Sequence, residues 1–497
     1  MVKKVLIPNQ GELSADLLGF FKTRGVATVL LCAAEDSCSL PARMADCVLI
    51  HEYSQTMVTE TSNIVNAALS SGCDGIHPGS GFLASDPALS RQCRENNLVF
   101  FGAGPEQLDA ARDRFRMMKA ATEAGLETVP CSEVCYNAEL AFSKDAKAFM
   151  PCLIRPVYAG IESGTQVCLK TAEFKEKFLQ AQKESFRSCG RQDVFLSAYY
   201  PGAQLIEVPF VRQASGTTYV FPEMNVSALC RFRKIAIETP APFISRTDRS
   251  ELLDRLNCFL EKLDFTAVGS LEIIVFKGKY LFHDFKPCLP TGTLLYLKTY
   301  GIDLRDIQLQ ISQAAPVSRV YWPENYGVEL RVFAEDWQED FRPSSGPFGE
   351  VVRAFDQITL GVDFITPRLQ GYRQSPILGS FIGKMLASGS EREKVLENTM
   401  QALAGLRICG QLNTCSFLKN LAGSRYFREG ILTIDFIDQL LKKKVFRNYL
   451  DGAEQAALIG AAFACGEEKE KPAPAKKNSS SVWNVMGRLA LMNQRKL

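Results

Sequence analysis

From Pro151 to Val167 the chain reads PCLIRPVYAGIESGTQV, and two residue types in it can act on a phosphate. Arg155 closes a short apolar run with a cation, and Gly160 and Gly164 follow before apolar residues return. Glycine lets backbone N–H groups approach an anion closely, so strand, glycine loop and strand is a way to cover nucleotide phosphates. Here the loop keeps only two isolated glycines, and Glu162 between them would face a polyphosphate with the wrong sign.

Metal chemistry finds less support. Sixteen cysteines invite it, yet Cys131 and Cys135, the closest pair, have no partner pair at zinc-ligand spacing. The histidines are three: His51, His77 and His283. Buried, reduced thiols are the better reading. His77, in GIHPGSG, reads as a loop histidine satisfying backbone groups, and His283, between Phe282 and Asp284, as a packed or surface strand residue.

The elements that must position these residues alternate from the start. KVLIP and VATVLLCA read as strands, with LSADLLGFFKTRG between them as a helix closed by Gly25. DCVLI, a helix through Asn63–Leu69 and LVFFGAG continue a βαβ series with a parallel sheet. GIHPGSGFLASD (Gly75–Asp86) is a loop at a strand's carboxyl end, where open α/β sheets place ligands. A helix is expected from Asp113 to Thr128, then a smaller unit to about Tyr200 that holds the glycine loop. Strands AQLIEVPFVRQ, TTYVFPE, VGSLEIIVF and KYLFHDF follow, with the helix RSELLDRLNCFLEKL between the second and third. GVELRVFAED and GEVVRAF add more strands; SEREKVLENTMQALAGL reads as a helix capped at Ser390, and TIDFIDQLLKKKV as another.

With 497 residues the chain exceeds one compact core, so several domains are expected. Lys plus Arg number 57 and Asp plus Glu 55, a balance that argues against nucleic acid or an anionic membrane as partner. Charged residues are 23% and hydrophobic residues 46%, as in a folded soluble protein, and no window approaches the roughly 20 apolar residues of a membrane span. The opening apolar run, Val5–Pro8, is too short for a signal peptide, so a cytoplasmic location is expected. GEEKEKPAPAKKNSSS (Gly466–Ser481) has the composition of a disordered linker. Beyond it, VWNVMGRLALMNQRKL places Trp483, Met486 and Leu489 at helical spacing, the pattern of a docking helix.

The order of these motifs over about residues 1–450 resembles biotin carboxylase, the ATP-grasp subunit or domain of acyl-CoA and pyruvate carboxylases. IPNQGELSADLL is similar to the family's I-A-N-R-G-E-I-A, GIHPGSGFLASD to H-P-G-Y-G-F-L-S-E, IETPAP to E-E-A-P-A-P, and VGSLEIIV to G-T-x-E-F. FFGAGPEQLDAARDRFRMMKAATEAGLETVP resembles the helix entering the ATP-grasp unit, and SPILGSFIGKMLASG the Y-D-S-M-I-G-K-L segment. The implied fold is α/β: a βαβ amino-terminal domain (1–112), an ATP-grasp region (113–320, lid about 130–200) and a mixed α+β carboxyl-terminal domain (321–450). A helix and flexible linker (451–481) and a docking segment (482–497) would follow.

The family phosphorylates bicarbonate with Mg-ATP and then carboxylates biotin, chemistry that depends on positioning and on neutralising charge. By the resemblance, two phosphate-contacting lysines fall on Arg114 and Arg155, which keeps charge but changes geometry. The glycine-rich flap becomes VYAGIESGT, holding Gly160 and Gly164, so the opening stretch reads as the remnant of a flap. The adenine hinge becomes LSAYY: Ser197 and Ala198 replace its acid and base, and Tyr199 and Tyr200 remain apolar. A nucleotide-side histidine falls on Leu205, whereas Glu207 remains. Two metal ligands are kept as Glu272 and Asp284, but the asparagine after them is Lys286. A lysine about 4 Å from a divalent ion costs roughly 8 kcal/mol at an effective dielectric of 20.

At the reacting end, N-T-R-I-Q-V-E-H becomes KPCLPTGT (Lys286–Thr293), which puts Cys288 for the enolate-stabilising arginine and Gly292 for the general base. The biotin-side arginine aligns with Asp363, and Lys234 survives from the bicarbonate set. Cys288, with no visible base, reads as an inert thiol. Three functions stay open. One is a non-catalytic subunit scaffolding or regulating a carboxylase complex; one is an ATP-dependent biotin carboxylase rebuilt around Lys234 and Lys286; one is another ATP-grasp ligase. The first implies no firmly held cofactor, only weak ATP, ADP or magnesium. It also implies partners among biotin carboxyl carrier, active biotin carboxylase and carboxyltransferase subunits, in a homodimer or heterodimer.

Overall fold

The computed structural model describes residues 2–51, 61–143, 149–158, 164–317, 321–373 and 379–443. All of them fall in one compact unit, Met1–Phe446. Gly160 and the segments 451–481 and 482–497 lie outside the described residues.

The expected alternation builds a parallel sheet. Strands β1 (Lys4–Ile7), β2 (Ala27–Ala33), β3 (Cys47–His51), β4 (Gly75–Ile76) and β5 (Val99–Phe100) pair in the order β3-β2-β1-β4-β5. Both faces are buried, as parallel sheets require. Leu6 and Val29 pack on one face with Ile64 and Val65 of the helix Thr61–Ser70. Val5, Ile7 and Leu30 pack on the other with Leu17 and Phe21 of the helix Gly11–Lys22. Gly25 lies in the turn beyond that helix with φ +70°.

A second, antiparallel sheet holds β6 (Cys131–Cys135), β7 (Cys152–Pro156), β8 (Gln166–Cys168) and β9 (Val194–Ala198) in the order β6-β9-β7-β8. The helix Phe174–Cys189 lays Phe174, Phe178 and Ala181 against Cys152, Ile154 and Leu196. Gly190, at φ +73°, ends it in the left-handed conformation that glycine adopts without strain.

Among the described residues, the largest sheet has nine strands. It contains β10 (Gln204–Arg212), β11 (Thr218–Val220), β12 (Met224–Cys230), β13 (Arg233–Thr239), β14 (Ala267–Phe276), β15 (Lys279–Lys286) and β16 (Tyr326–Phe333). After the short hairpin β17 (Glu335–Asp336)–β18 (Arg342–Pro343) and β19 (Val351–Arg353), the sheet gains β20 (Val362–Ile365) and β21 (Phe381–Gly389). β22 (Leu406–Ile408) pairs with β19. The order is β15-β14-β10-β12-β13-β16-β21-β20, with β11 on β10. Because β13 pairs with β16, the sheet runs unbroken past residue 320.

Two expectations are corrected and one hairpin is added. The helix expected from Asp113 to Thr128 spans Arg114–Glu123, and Gly125, at φ +91°, turns the chain away. The helix Arg392–Gly405 starts from Glu391 with no side-chain cap, so Ser390 does not cap it. Strands β12 and β13 form a hairpin that the sequence reading passed over. Their turn is Arg231–Phe232, at φ +51° and +64°. Tight hairpins with two positive φ values ordinarily carry Asn-Gly or Asp-Gly, so this one lacked the usual signal.

Close packing makes one position in the central sheet sensitive. A Cβ added at Gly327 would lie 2.0 Å from Thr299 Oγ1 and 3.0 Å from Leu295 Cδ1. Both belong to the helix Thr293–Tyr300 on the sheet face. Gly327→Ala is therefore expected to destabilise by about 1–3 kcal/mol through overpacking. A lowered denaturant midpoint with unchanged slope is the confirming result; an unchanged midpoint would show that the helix yields freely.

Candidate functional site

Register brings the site together. Glu207 on β10 lies opposite Glu272 on β14, and Glu272 opposite Asp284 on β15. Three carboxylates in cross-strand neighbourhood repel unless cations separate them. Four cations do so.

Lys234, from β13, reaches Glu207 Oε2 at 2.7 Å and Glu272 Oε1 at 3.1 Å. The Lys286 ammonium also donates to Glu272 Oε1. Arg114, the first residue of its helix, donates Nε–H to Asp284 Oδ2 at 3.2 Å, and Arg155 on β7 meets the same oxygen at 3.1 Å. Ser270 Oγ donates to Glu207 Oε1 at 2.6 Å, and the Phe285 amide donates to Asp284 Oδ1 at 3.0 Å. All seven charged residues are buried.

Burial is the largest influence on Glu272 and Asp284 and pushes each carboxyl up. Lys286 and Lys234 overcome it at Glu272, and Arg114 and Arg155 at Asp284, so both stay below the usual carboxylate range. Burial also lowers Arg155 to about 10, against the attraction of Asp284.

The carboxylates expected to hold magnesium are thus already matched by side chains. Lys286 lies on Glu272 itself, and two guanidiniums share Asp284. Among the described residues, no three His, Cys, Asp or Glu side chains group as a metal site. This donor set does not fit a divalent ion.

Beside the network opens a pocket of about 870 Å³, counting its mouth. Its charged lining is Arg114, Arg155, Arg231, Glu272, Asp284 and Asp438, and His283 lines it too. Leu205, Ile274, Ile434, Tyr199 and Tyr200 are among its apolar and aromatic lining, with Tyr200 stacked on Phe276 at 5.0 Å. Ala198 and the hairpin turn Arg231–Phe232 also reach the wall. Gly164, at φ +79°, packs against Pro156 and Glu184, where a Cβ would come within 3.0 Å and 3.3 Å of side-chain carbons.

The reacting-end positions are closed. Cys288 is 3% exposed, and burial raises its thiol, so it is no nucleophile as it stands. Gly292 lies at the amino end of the helix Thr293–Tyr300, where an added Cβ would be 2.4 Å from Met224 Sδ. Asp363 lies on β20, at the opposite edge of the sheet from β15, and accepts from Lys298 Nζ at 2.7 Å. It is not brought to the pocket.

The histidines divide. His77 is buried, accepts from the Gly79 amide at 3.1 Å, lies 3.1 Å from Gln308 Oε1 and stacks on Phe101. It holds the loop after β4. His283 is a strand residue, as expected, and it also forms part of the pocket wall. Burial, with Arg155 nearby, lowers it to about 3, so it is neutral. Strand alternation could not have found it, because the β14–β15 register shifts at His283 and lets it line the pocket together with the adjacent Asp284. Ile434 and the Arg231–Phe232 turn had no local signal either.

Three family models match in chain order. They are described as the biotin carboxylase N-terminal domain (residues 1–108), the carbamoyl-phosphate synthase L chain ATP-binding domain (113–320) and the biotin carboxylase C-terminal domain (329–439). The chain is 25% identical over 455 residues to biotin carboxylase of Nostoc, covering 88% of this chain and 99% of that one. It is 26% identical over 473 residues to the mitochondrial methylcrotonoyl-CoA carboxylase subunit alpha of rice, covering 93% of this chain and 64% of the relative. Against three longer carboxylases the chain spans 36% to 64% of their length. Among solved structures, the biotin carboxylase domain dimer of Hydrogenobacter thermophilus 2-oxoglutarate carboxylase, in complex with MgADP, ADP and bicarbonate, superimposes with a TM-score of 0.84. At 24% identity, covering 90% of this chain and 99% of that one, it shows the shared fold.

Proposed function

Because the chain is a biotin carboxylase-like protein with that family's three-domain fold, we propose that it is a non-catalytic subunit that scaffolds or regulates a biotin-dependent acyl-CoA carboxylase complex. One observation carries the reading: Gly292, which the resemblance puts at the position of the general base, has no side chain, and the Met224 side chain lies where one would begin. Cys288 and Asp363 stand at the two arginine positions, so the retained Lys234 has no reacting groups to work with. Its ammonium is instead committed to Glu207 and Glu272. The packed body is intact around this loss, with β14 buried from Ala267 to Ile274. A subunit kept for its shape retains such a body while its chemistry lapses.

The partners on this reading are biotin carboxyl carrier, active biotin carboxylase or carboxyltransferase subunits, in a cytoplasmic assembly. One relative is a carboxylase subunit and one fold neighbour a domain dimer, which supports assembly as a homodimer or heterodimer. Among the described residues no helix is long and apolar enough to cross a membrane. Affinity purification of the tagged full chain from its native host tests the proposal. Carboxylase components are expected in the eluate, and deletion of Val482–Leu497 is expected to release them while the body stays folded. Retention after the deletion would overturn docking through the tail. An eluate without carboxylase components would overturn the scaffold reading.

A further inference from the structure

We propose that the sheet β6–β9 is a lid latched against the central sheet by this chain's own side chains, resting closed on its own and opening only when those bonds break together. The inference goes beyond the non-catalytic reading and does not depend on it.

The lid is hinged at one end. The entering segment pairs with β15: the Val129 amide donates to the Phe282 carbonyl at 3.0 Å, and the Phe282 amide to the Glu127 carbonyl at 2.8 Å. The leaving segment returns beside it, where the Ala198 amide donates to the Pro130 carbonyl at 2.9 Å and the Tyr199 amide to the Pro151 carbonyl at 3.0 Å. From Pro151, strand β7 runs on to Pro156, about 17 Å away at about 3.3 Å per residue. Turning about the hinge would lift that far end first.

The far end is where the lid is fastened. Arg155 meets Asp284 Oδ2 at 3.1 Å and donates from Nη1 to the His283 carbonyl at 3.0 Å. The Pro156 carbonyl accepts from Arg114 Nη1 at 3.0 Å, and the Val157 carbonyl from the Arg114 amide at 3.2 Å. Tyr158 Oη donates to Asp113 Oδ2 at 3.0 Å. Its ring centre lies 4.0 Å from the Arg191 guanidinium of the lid and 5.7 Å from that of Arg112 on the body. Asp113 uses its other oxygen to cap the helix Arg114–Glu123, accepting from the Arg116 amide at 2.8 Å, so it ties that helix to the lid.

Arg114, Arg155 and Asp284 are buried, and hydrogen bonds to charged groups are stronger than neutral ones. Every one of these contacts joins groups of the chain itself, so closure calls for no added ion or molecule. Because they gather at the end away from the hinge, rotation breaks them as a set, and the lid has two positions rather than a range.

Hydrogen exchange of the full chain, read by mass spectrometry, tests the latch, because the Arg114 amide is bonded across the seam and is released when the lid lifts. In wild type without ligand that amide is expected to be protected, and millimolar MgATP is expected to leave its rate unchanged. Tyr158→Phe removes one hydrogen bond to a carboxylate and is expected to speed exchange about tenfold. Adding Asp284→Asn, which weakens the hold of both arginines, is expected to speed it about tenfold more, while amides of β1 and β2 keep their wild-type rates. Those unchanged rates separate lid opening from loss of the fold. Tyr158 is only half-buried, so the single variant decides if the double one does not fold. An unprotected Arg114 amide in the wild type, protection that appears only with MgATP, or an unchanged rate in Tyr158→Phe would overturn the inference.

Discussion

Purified protein given MgATP, bicarbonate and free biotin is expected to release no phosphate in response to biotin. Removing a general base costs about 10²–10⁴ in rate, and removing one electrostatic donor about 10²–10³. On the proposed reading Gly292 and Cys288 stand where the resemblance puts both, and although such losses do not simply add, they leave little turnover. Restoring the residue types is not expected to restore activity. A glutamate at 292 would start with its Cβ 2.4 Å from Met224 Sδ, so the Met224 side chain must move first, and an arginine at 288 would enter a buried position. Gly292→Glu with Cys288→Arg should therefore lower the denaturation midpoint and stay inactive. Biotin-dependent phosphate release within about tenfold of an active homologue, abolished by Lys234→Ala, would overturn the non-catalytic reading and favour an enzyme rebuilt around the lysines.

The second large effect is on stability. Glu272→Ala takes the Glu272 carboxylate from both buried lysines, Lys286 and Lys234. Breaking a buried ion pair by removing one partner costs about 3–5 kcal/mol, mostly for the charge left behind. The double variant Glu272→Leu with Lys286→Met removes both charges and is expected to recover much of that loss, since apolar replacements of buried pairs are often neutral or stabilising. Chemical denaturation of the three proteins decides it: a double variant no more stable than the single one would show that the pair's charge is not the cause.

The same network sets a pH dependence. Burial raises the Glu272 carboxyl, but Lys286 and Lys234 hold its folded-state value below the ordinary 4.5, and Arg114 and Arg155 hold Asp284 below 3.8. Stability from a depressed carboxylate is complete above its unfolded value and is lost as pH falls through the folded one. The wild type should hold its network stability above the ordinary carboxylate values and lose it progressively below them. Glu272→Ala should show a shallower acid limb.

Much of this was legible in sequence. The alternation of KVLIP, a helix and VATVLLCA dictates a parallel sheet, because short buried strands separated by helices leave few other packings. If the resemblance aligns Cys288 and Gly292 as proposed, their identities alone remove an arginine and a glutamate, for no fold returns a functional group that a side chain lacks. The β12–β13 hairpin was not legible, since Arg231–Phe232 carries none of the glycine or asparagine that such turns normally use.

What Lys286 does was likewise undecided by its position in the chain. Read along the sequence, it is a cation beside two expected metal ligands, and repulsion is all that follows. Strand register places Glu272 opposite both Glu207 and Asp284, so three carboxylates share one buried region, and Lys286 becomes a partner they require. The same long-range pairing brings Met224, 68 positions earlier in the chain, into the space over Gly292. A residue's type is local, but its charge partners and the volume left to it are set by segments that meet only when the chain folds.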